Sequence, residues 1–136
     1  MQKKISVIII SVVLIVCLCV SIQASESLLR WDNVLQIVGG DISFSGNSGS
    51  YAIEILGNTD VTKITATVTL YYQIDSGRWV EVPKDWTYEV YSRELDINET
   101  FNGVSGRRYR AVLSATVSNG ESDESITRAS TIVTCP

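Results

Sequence analysis

Few side chains in this 136-residue chain could do chemistry, and what is missing narrows them further. There is no histidine, which removes imidazole bases, serine–histidine triads and the usual zinc ligands together. Of the three cysteines, Cys17 and Cys19 fall in an apolar N-terminal stretch and only Cys135 lies beyond it. A lone thiol with no basic partner is a poor nucleophile. The carboxylates Glu81, Asp85, Glu89 and Glu94 could in principle supply a glycosidase pair, yet their spacing is what a solvated strand face produces. Glu121-Ser122-Asp123-Glu124, beside Asn119, offers oxygen ligands for calcium. That spacing matches no calcium loop and reads as an exposed charged turn. The chain is expected to be no enzyme, with no cofactor and no metal.

Binding chemistry is better represented. Tyr71, Tyr72, Trp79, Trp86, Tyr88 and Tyr91 crowd into one short stretch. Tyr72 falls on an apolar face and belongs to a core. Tyr71, Trp79, Trp86, Tyr88 and Tyr91 form a candidate platform for a protein or glycan partner, since exposed aromatics on a sheet commonly hold such ligands. In the competing reading, Trp79 and Trp86 plug the ends of a core. Arg107, Arg108 and Arg110 are the one basic cluster. Alternation puts Arg108 and Arg110 on one face, where they could receive a carboxylate or phosphate; pairing with acids across a sheet is the preferred reading.

The elements that must position these groups are strands. Over residues 109–117, Tyr109, Ala111, Leu113, Ala115 and Val117 line one face, with Arg110, Ser114 and Thr116 on the other. Asn119-Gly120 then suits a tight type I′ reversal. Over 64–74, Ile64, Ala66, Val68, Leu70, Tyr72 and Ile74 share one face and three threonines, Tyr71 and Gln73 the other. No helix keeps a period of two for eleven residues. These two strands are expected to face each other across two sheets and supply much of the core. Shorter strands are read at 34–38 and 42–45, broken by Gly39-Gly40, then at 51–55 after a 46–50 loop. Others follow at 79–82, stopping at Pro83, at 86–91, around 95–101, and at 126–134 as the last.

Before these comes a targeting signal. Lys3 and Lys4 precede an apolar run over 5–22, and Ala24 offers a small residue at a cleavage point. Uncleaved, the run is about long enough to anchor in a bilayer. Val16 and Leu18 disfavour lipidation of the neighbouring cysteines. The expected organisation is a signal-peptide helix over 1–24, a short tether over 25–33, and one β-sandwich domain over 34–136. Removing the two charges of Lys3 and Lys4 would take the net charge from −4 to −6. An acidic balance argues against nucleic acid or an anionic membrane as partner. With Cys135 as the only thiol outside the signal, an exposed sulfur would find an external partner and give a disulfide-linked homodimer or mixed disulfide. The alternative tucks that sulfur into the end of the core.

The run Tyr109-Arg110-Ala111-Val112-Leu113-Ser114-Ala115, with Asn119-Gly120-Glu121-Ser122 and Ser125, resembles the F strand, turn and G strand of fibronectin type III and related immunoglobulin-like domains. The resemblance implies that Tyr109 is a corner tyrosine bonding to backbone just upstream, and that 64–74 is strand C. The Leu and Pro that commonly precede that tyrosine are replaced by Gly103-Val104-Ser105-Gly106. The whole chain, signal included, is also similar to small secreted proteins of Gram-positive bacteria, which implies a place outside the cell and no activity. Together these readings give an all-β, two-sheet immunoglobulin-like (fibronectin type III-like) sandwich of about seven strands. It would be an exported binding module, secreted or anchored to the outer face of the cytoplasmic membrane; the alternative is a structural subunit assembling through edge strands, the last one being unguarded.

Overall fold

Strong alternation becomes strand. The stretches read at 34–38 and 42–45 join into one, and those at 51–55 and 95–101 extend further than their patterns show, while the last strand, read as continuous over 126–134, is split in two. The computed structural model describes residues 32–136. The expected signal-peptide helix, and all of the tether before Asp32, lie outside the described residues. Nine strands run in order: β1 (Val34–Ser45), β2 (Ser48–Gly57), β3 (Lys63–Gln73), β4 (Trp79–Glu81), β5 (Trp86–Val90), β6 (Glu94–Asn102), β7 (Arg108–Ser118), β8 (Asp123–Ala129) and β9 (Val133–Thr134). Among the described residues no helix is long and apolar enough to cross a membrane.

Two antiparallel sheets form. The smaller has the order β1-β2-β6; the larger has β4-β3-β7-β8, with β5 also on β3 and β9 also on β7. β4 and β5 lie end to end along one edge of β3, because Pro83 has no N–H to continue the ladder. β8 and β9 divide the far edge of β7 in the same way. The layout is therefore three ribbons against four, the immunoglobulin-like sandwich. The inward side chains of both sheets, among them Tyr51, Ile53, Ile55, Ile97, Ile64, Leu70, Leu113 and Val117, make one core. Each larger one contributes about 1.5–3 kcal/mol on full burial.

Several expectations change. The 64–74 and 109–117 strands do not face each other across the sandwich. They are neighbours in one sheet, paired from Lys63↔Ser118 to Tyr72↔Tyr109. Alternation identifies a buried face but does not say which strand lies alongside. Gly39-Gly40 does not break the first strand. It is a bulge, both glycines having positive φ (84° and 95°), after which the inward face changes phase. The 46–50 loop shrinks to a Gly46-Asn47 turn. Asn119-Gly120 is no type I′ turn: Asn119 lacks the positive φ that type requires, and a loop of four residues joins β7 to β8. Asn33, assigned to the tether, is buried, and its side chain donates to the Val117 and Ser122 carbonyls.

Tyr109 sits where a corner tyrosine should, and its hydroxyl accepts a hydrogen bond from the Val104 amide at 2.9 Å. Just beyond, the chain's end is strapped down. The Cys135 amide donates to Arg107 O, and Gly106 N–H donates to Cys135 O, both at 2.8 Å. Cys135 is 1 % exposed, and its sulfur rests against Gly103, where a β-carbon would come within 2.9 Å of it. An exposed thiol is thus not what the fold contains; the tucked alternative is. The strap is the physical reason, since β9 pairing carries the backbone over the end of the core.

Three measurements probe this fold. Gly49 lies opposite Phe101 across β2 and β6, and any β-carbon there would overlap the Phe101 ring. Gly49→Ala should destabilise the domain by about 1–3 kcal/mol in urea unfolding, the usual scale for overpacking. Modification of Cys135, located by peptide mass, should wait for denaturation. Burial pushes the Tyr51 hydroxyl up to about 12, with Arg128 lowering it and Asp41 raising it. The unfolded chain releases that proton near pH 10, so stability is unaffected below pH 10 and falls as the pH rises from there towards 12. The urea midpoint should fall across that window, and less steeply in Tyr51→Phe.

Candidate functional site

The candidate platform divides into three places. Strand alternation decides the division, because Trp79 and Tyr71 point away from the core while Trp86 and Tyr88 point towards it. Tyr71 lies opposite Arg110 on β7 and Glu81 on β4, and Trp79 lies opposite Gln73. Arg110 reaches across β3, with its guanidinium carbon 4.5 Å from the Trp79 ring centre and 5.5 Å from that of Tyr71. Such cation–π contacts are worth about 0.5–2 kcal/mol each and hold the guanidinium in one attitude. The Arg110 Nε is enclosed and has no hydrogen-bond partner.

The neighbouring arginines extend this end of the sheet. Arg108 donates from Nη1 to Gln73 Oε1 at 3.1 Å. Arg107 lies 4.6 Å over the ring of Tyr72. Gln73, Ile74, Asp75, Gly77, Gly106, Arg107 and Arg108 line an open groove of about 360 Å³. The preferred reading, in which these arginines pair with acids across the sheet, is overturned. Among the described residues the ion pair is Lys63–Glu89, and none forms at Arg107, Arg108 or Arg110. Their local partners are aromatic rings and an amide, because the register sets Tyr71, not an acid, opposite Arg110.

The remaining three aromatics lie elsewhere. Trp86 is 6 % exposed and packs 6.2 Å from Phe101, so it closes the core between the two sheets. Tyr88 faces inward beside it and donates its hydroxyl to Glu99 on β6. Desolvation first, and the Glu99 hydrogen bond second, raise the pKa of that hydroxyl. Tyr91 is 78 % exposed and donates to Glu89 at 2.9 Å. Lys63 lies 3.0 Å from Glu89 and 5.3 Å from the Tyr91 ring centre. The Lys63 hydrogen bond, then that of Tyr91, lowers the Glu89 pKa. Counting residues along β3, this group stands roughly 26 Å from Tyr71.

The outward-facing floor between the two ends is mostly hydroxyl: Thr65, Thr67 and Thr69 on β3, with Ser114 and Thr116 on β7. The acidic 121–124 loop is turned to structural use. Asn119 Oδ1 accepts from the Glu121 and Ser122 amides, and Glu124 Oε2 from the Asn33 and Val34 amides. On the other sheet Glu54, Glu94 and Asp96 bring their carboxylates within 4.8 Å of one another. The sequence does not announce that group, since its members come from two strands. The arginine end was partly visible as two arginines in phase on one face; what was missing was the identity of the strand beside them.

The arrangement at Tyr71, Trp79 and Arg110 offers flat apolar area and a fixed cation with free donors, which is equipment for recognition. Comparison with known proteins adds little to this. No family model and no curated protein matches the chain. Among solved structures, the chain is similar to the ASH/PapD-like domain 7 of human CEP192, at 11 % identity and a TM-score of 0.48, over 70 % of this chain and 80 % of that one. It is also similar to the sporulation control protein Spo0M of Bacillus subtilis, at 12 % identity and a TM-score of 0.37. That match covers 73 % of this chain and 49 % of Spo0M, so the chain spans about half the length of that protein. The reading of the site rests on the chain's own residues.

Proposed function

We propose that this chain is an exported, non-catalytic interaction module that binds its partner on the outer face of the larger sheet, around Tyr71, Trp79 and Arg110. The carrying observation is that two aromatic rings point away from the core and both lie within cation–π reach of a guanidinium that pairs with no carboxylate. Rings not needed for the core, and a cation not neutralised by the chain itself, are what a recognition surface requires. The N-terminal signal supports export, to the medium or the outer face of the membrane, and the resemblance to small secreted Gram-positive proteins supports the same setting. The three-against-four strands and the Tyr109 bond support an immunoglobulin-like sandwich as the scaffold of that module. The want of histidine supports binding over catalysis.

Assembly through the last strand is the weaker reading. β8 turns Glu124 and Arg128 to the inner face, opposite Val117 and Leu113, and the strand breaks at Ser130 before β9 resumes. Inward charges and a short, interrupted edge both discourage strand addition.

The platform is tested by screening the full chain against cell-wall glycans and surface proteins, then repeating the measurement with Trp79→Ala. Affinity for the partner found should fall at least about tenfold, or 1.4 kcal/mol, with the melting temperature almost unchanged because Trp79 lies outside the core. Unaltered binding by Trp79→Ala and Tyr71→Ala would rule the platform out.

A further inference from the structure

We infer that the Arg110 end of this face is a receptor for the carboxylate of an acidic glycan laid along β3. The inference rests on the platform reading above and adds the chemical class of its ligand. An arginine on a sheet surface ordinarily satisfies its five donors with acids, carbonyls or water. Arg110 instead lies against the rings of Trp79 and Tyr71, with Nε enclosed and unpartnered. With Nε enclosed, the two terminal nitrogens are the fork left for a ligand, and a carboxylate can take such a fork bidentately.

Charge at this end favours an anion. Arg107 and Arg108 line the groove with Asp75, and Arg110 follows two residues along β7 with Glu81 on β4 beyond Tyr71, so three arginines stand against two acids at this end of a chain of net charge −4. The opposite end of the face is already neutralised, Lys63 being paired with Glu89. One end therefore awaits an acid and the other does not.

The floor decides what kind of chain carries that acid. A bound peptide wants apolar pockets or a free strand edge. Between the two ends the face presents Thr65, Thr67, Thr69, Ser114 and Thr116, with Val112 as the apolar exception. A row of hydroxyls exchanges hydrogen bonds with a polyhydroxylated chain, and the rings of Trp79 and Tyr71 give the C–H faces of a sugar something flat to rest on.

The test uses calorimetric titration of the full chain with oligomers of polygalacturonate, their methyl esters, dextran, poly-glutamate and polyphosphate. Polygalacturonate should bind, and its methyl ester, which keeps the sugar and loses the charge, at least about tenfold more weakly. Arg110→Gln should weaken polygalacturonate binding by about tenfold or more, and Arg110→Lys should recover little, since a lysine keeps the charge and loses the fork. Arg93→Gln, in the β5–β6 connection, should change it less than about twofold. Melting curves establish that the variants are folded, and Arg108→Gln gives a second, smaller loss. Equal binding of the methyl ester overturns the carboxylate inference, and the platform survives if Trp79→Ala abolishes that binding. Tighter binding of poly-glutamate or polyphosphate overturns the glycan assignment. Binding to none of the probes overturns the inference, while the platform is judged separately by Trp79→Ala with the partner found in the wider screen.

Discussion

The pairing of β3 with β7 is the constraint on which the rest of the molecule depends. Ten successive residue pairs join them, from Lys63↔Ser118 to Tyr72↔Tyr109. Because a strand's side chains alternate, this one register settles two surfaces together. Ile64, Ala66, Val68 and Leu70 go inward with Ala111, Leu113, Ala115 and Val117. Tyr71 and the threonines go outward with Arg108, Arg110, Ser114 and Thr116. A slip of one residue would bury the arginines and expose the core, so the hydrophobic demand of the inner face also holds the outer face in place.

The two flanks of the sandwich are closed by different chemistry. On the β5–β6 side, Trp86 packs on Phe101 and the Tyr88 hydroxyl donates to Glu99, so an aromatic wall ends in a charge-assisted hydrogen bond. On the β1–β8 side, Arg128 lies against Gly40, where a β-carbon would come within 3.2 Å of its Nε. Asp41 accepts from the Thr131 amide and hydroxyl nearby. The Gly39-Gly40 bulge has a reason in this packing: it turns β1 out of phase and clears room for the arginine. Both flanks thus use polar groups whose partners come from the opposite sheet.

Function follows from what this scaffold leaves unpaired. Several charged groups in the described residues are drawn into structure. Glu124 caps the amides that start β1, Glu99 receives Tyr88, and Glu89 holds Lys63. Arg110 is not neutralised in this way, being fixed by rings that carry no negative charge. Fixing a cation without discharging it keeps its electrostatic attraction for a partner, and less conformational freedom is lost when the partner arrives. The aromatic clamp and the missing acid are therefore parts of one device.

Much of the fold was written in local pattern. The alternation at 64–74 and 109–117, the stop at Pro83 and the position of Tyr109 all express short-range rules: side-chain period, a missing donor, a corner hydrogen bond. The same rules separated Tyr71 from Tyr72, since adjacent residues on a strand must face opposite ways. They did not separate Trp79 from Trp86, because β4 and β5 are short and the phase of each comes from its pairing with β3. Nor did they show that Gly39-Gly40 would be a bulge inside one strand, or that Cys135 would be strapped beneath Gly106 and Arg107. By itself the sequence determined which residues want burial and which strands can form. Only the tertiary structure decided which strands are neighbours, and through that, that Arg110 would meet two aromatic rings where an acid was expected; contacts between residues distant in the chain leave no trace in its local period.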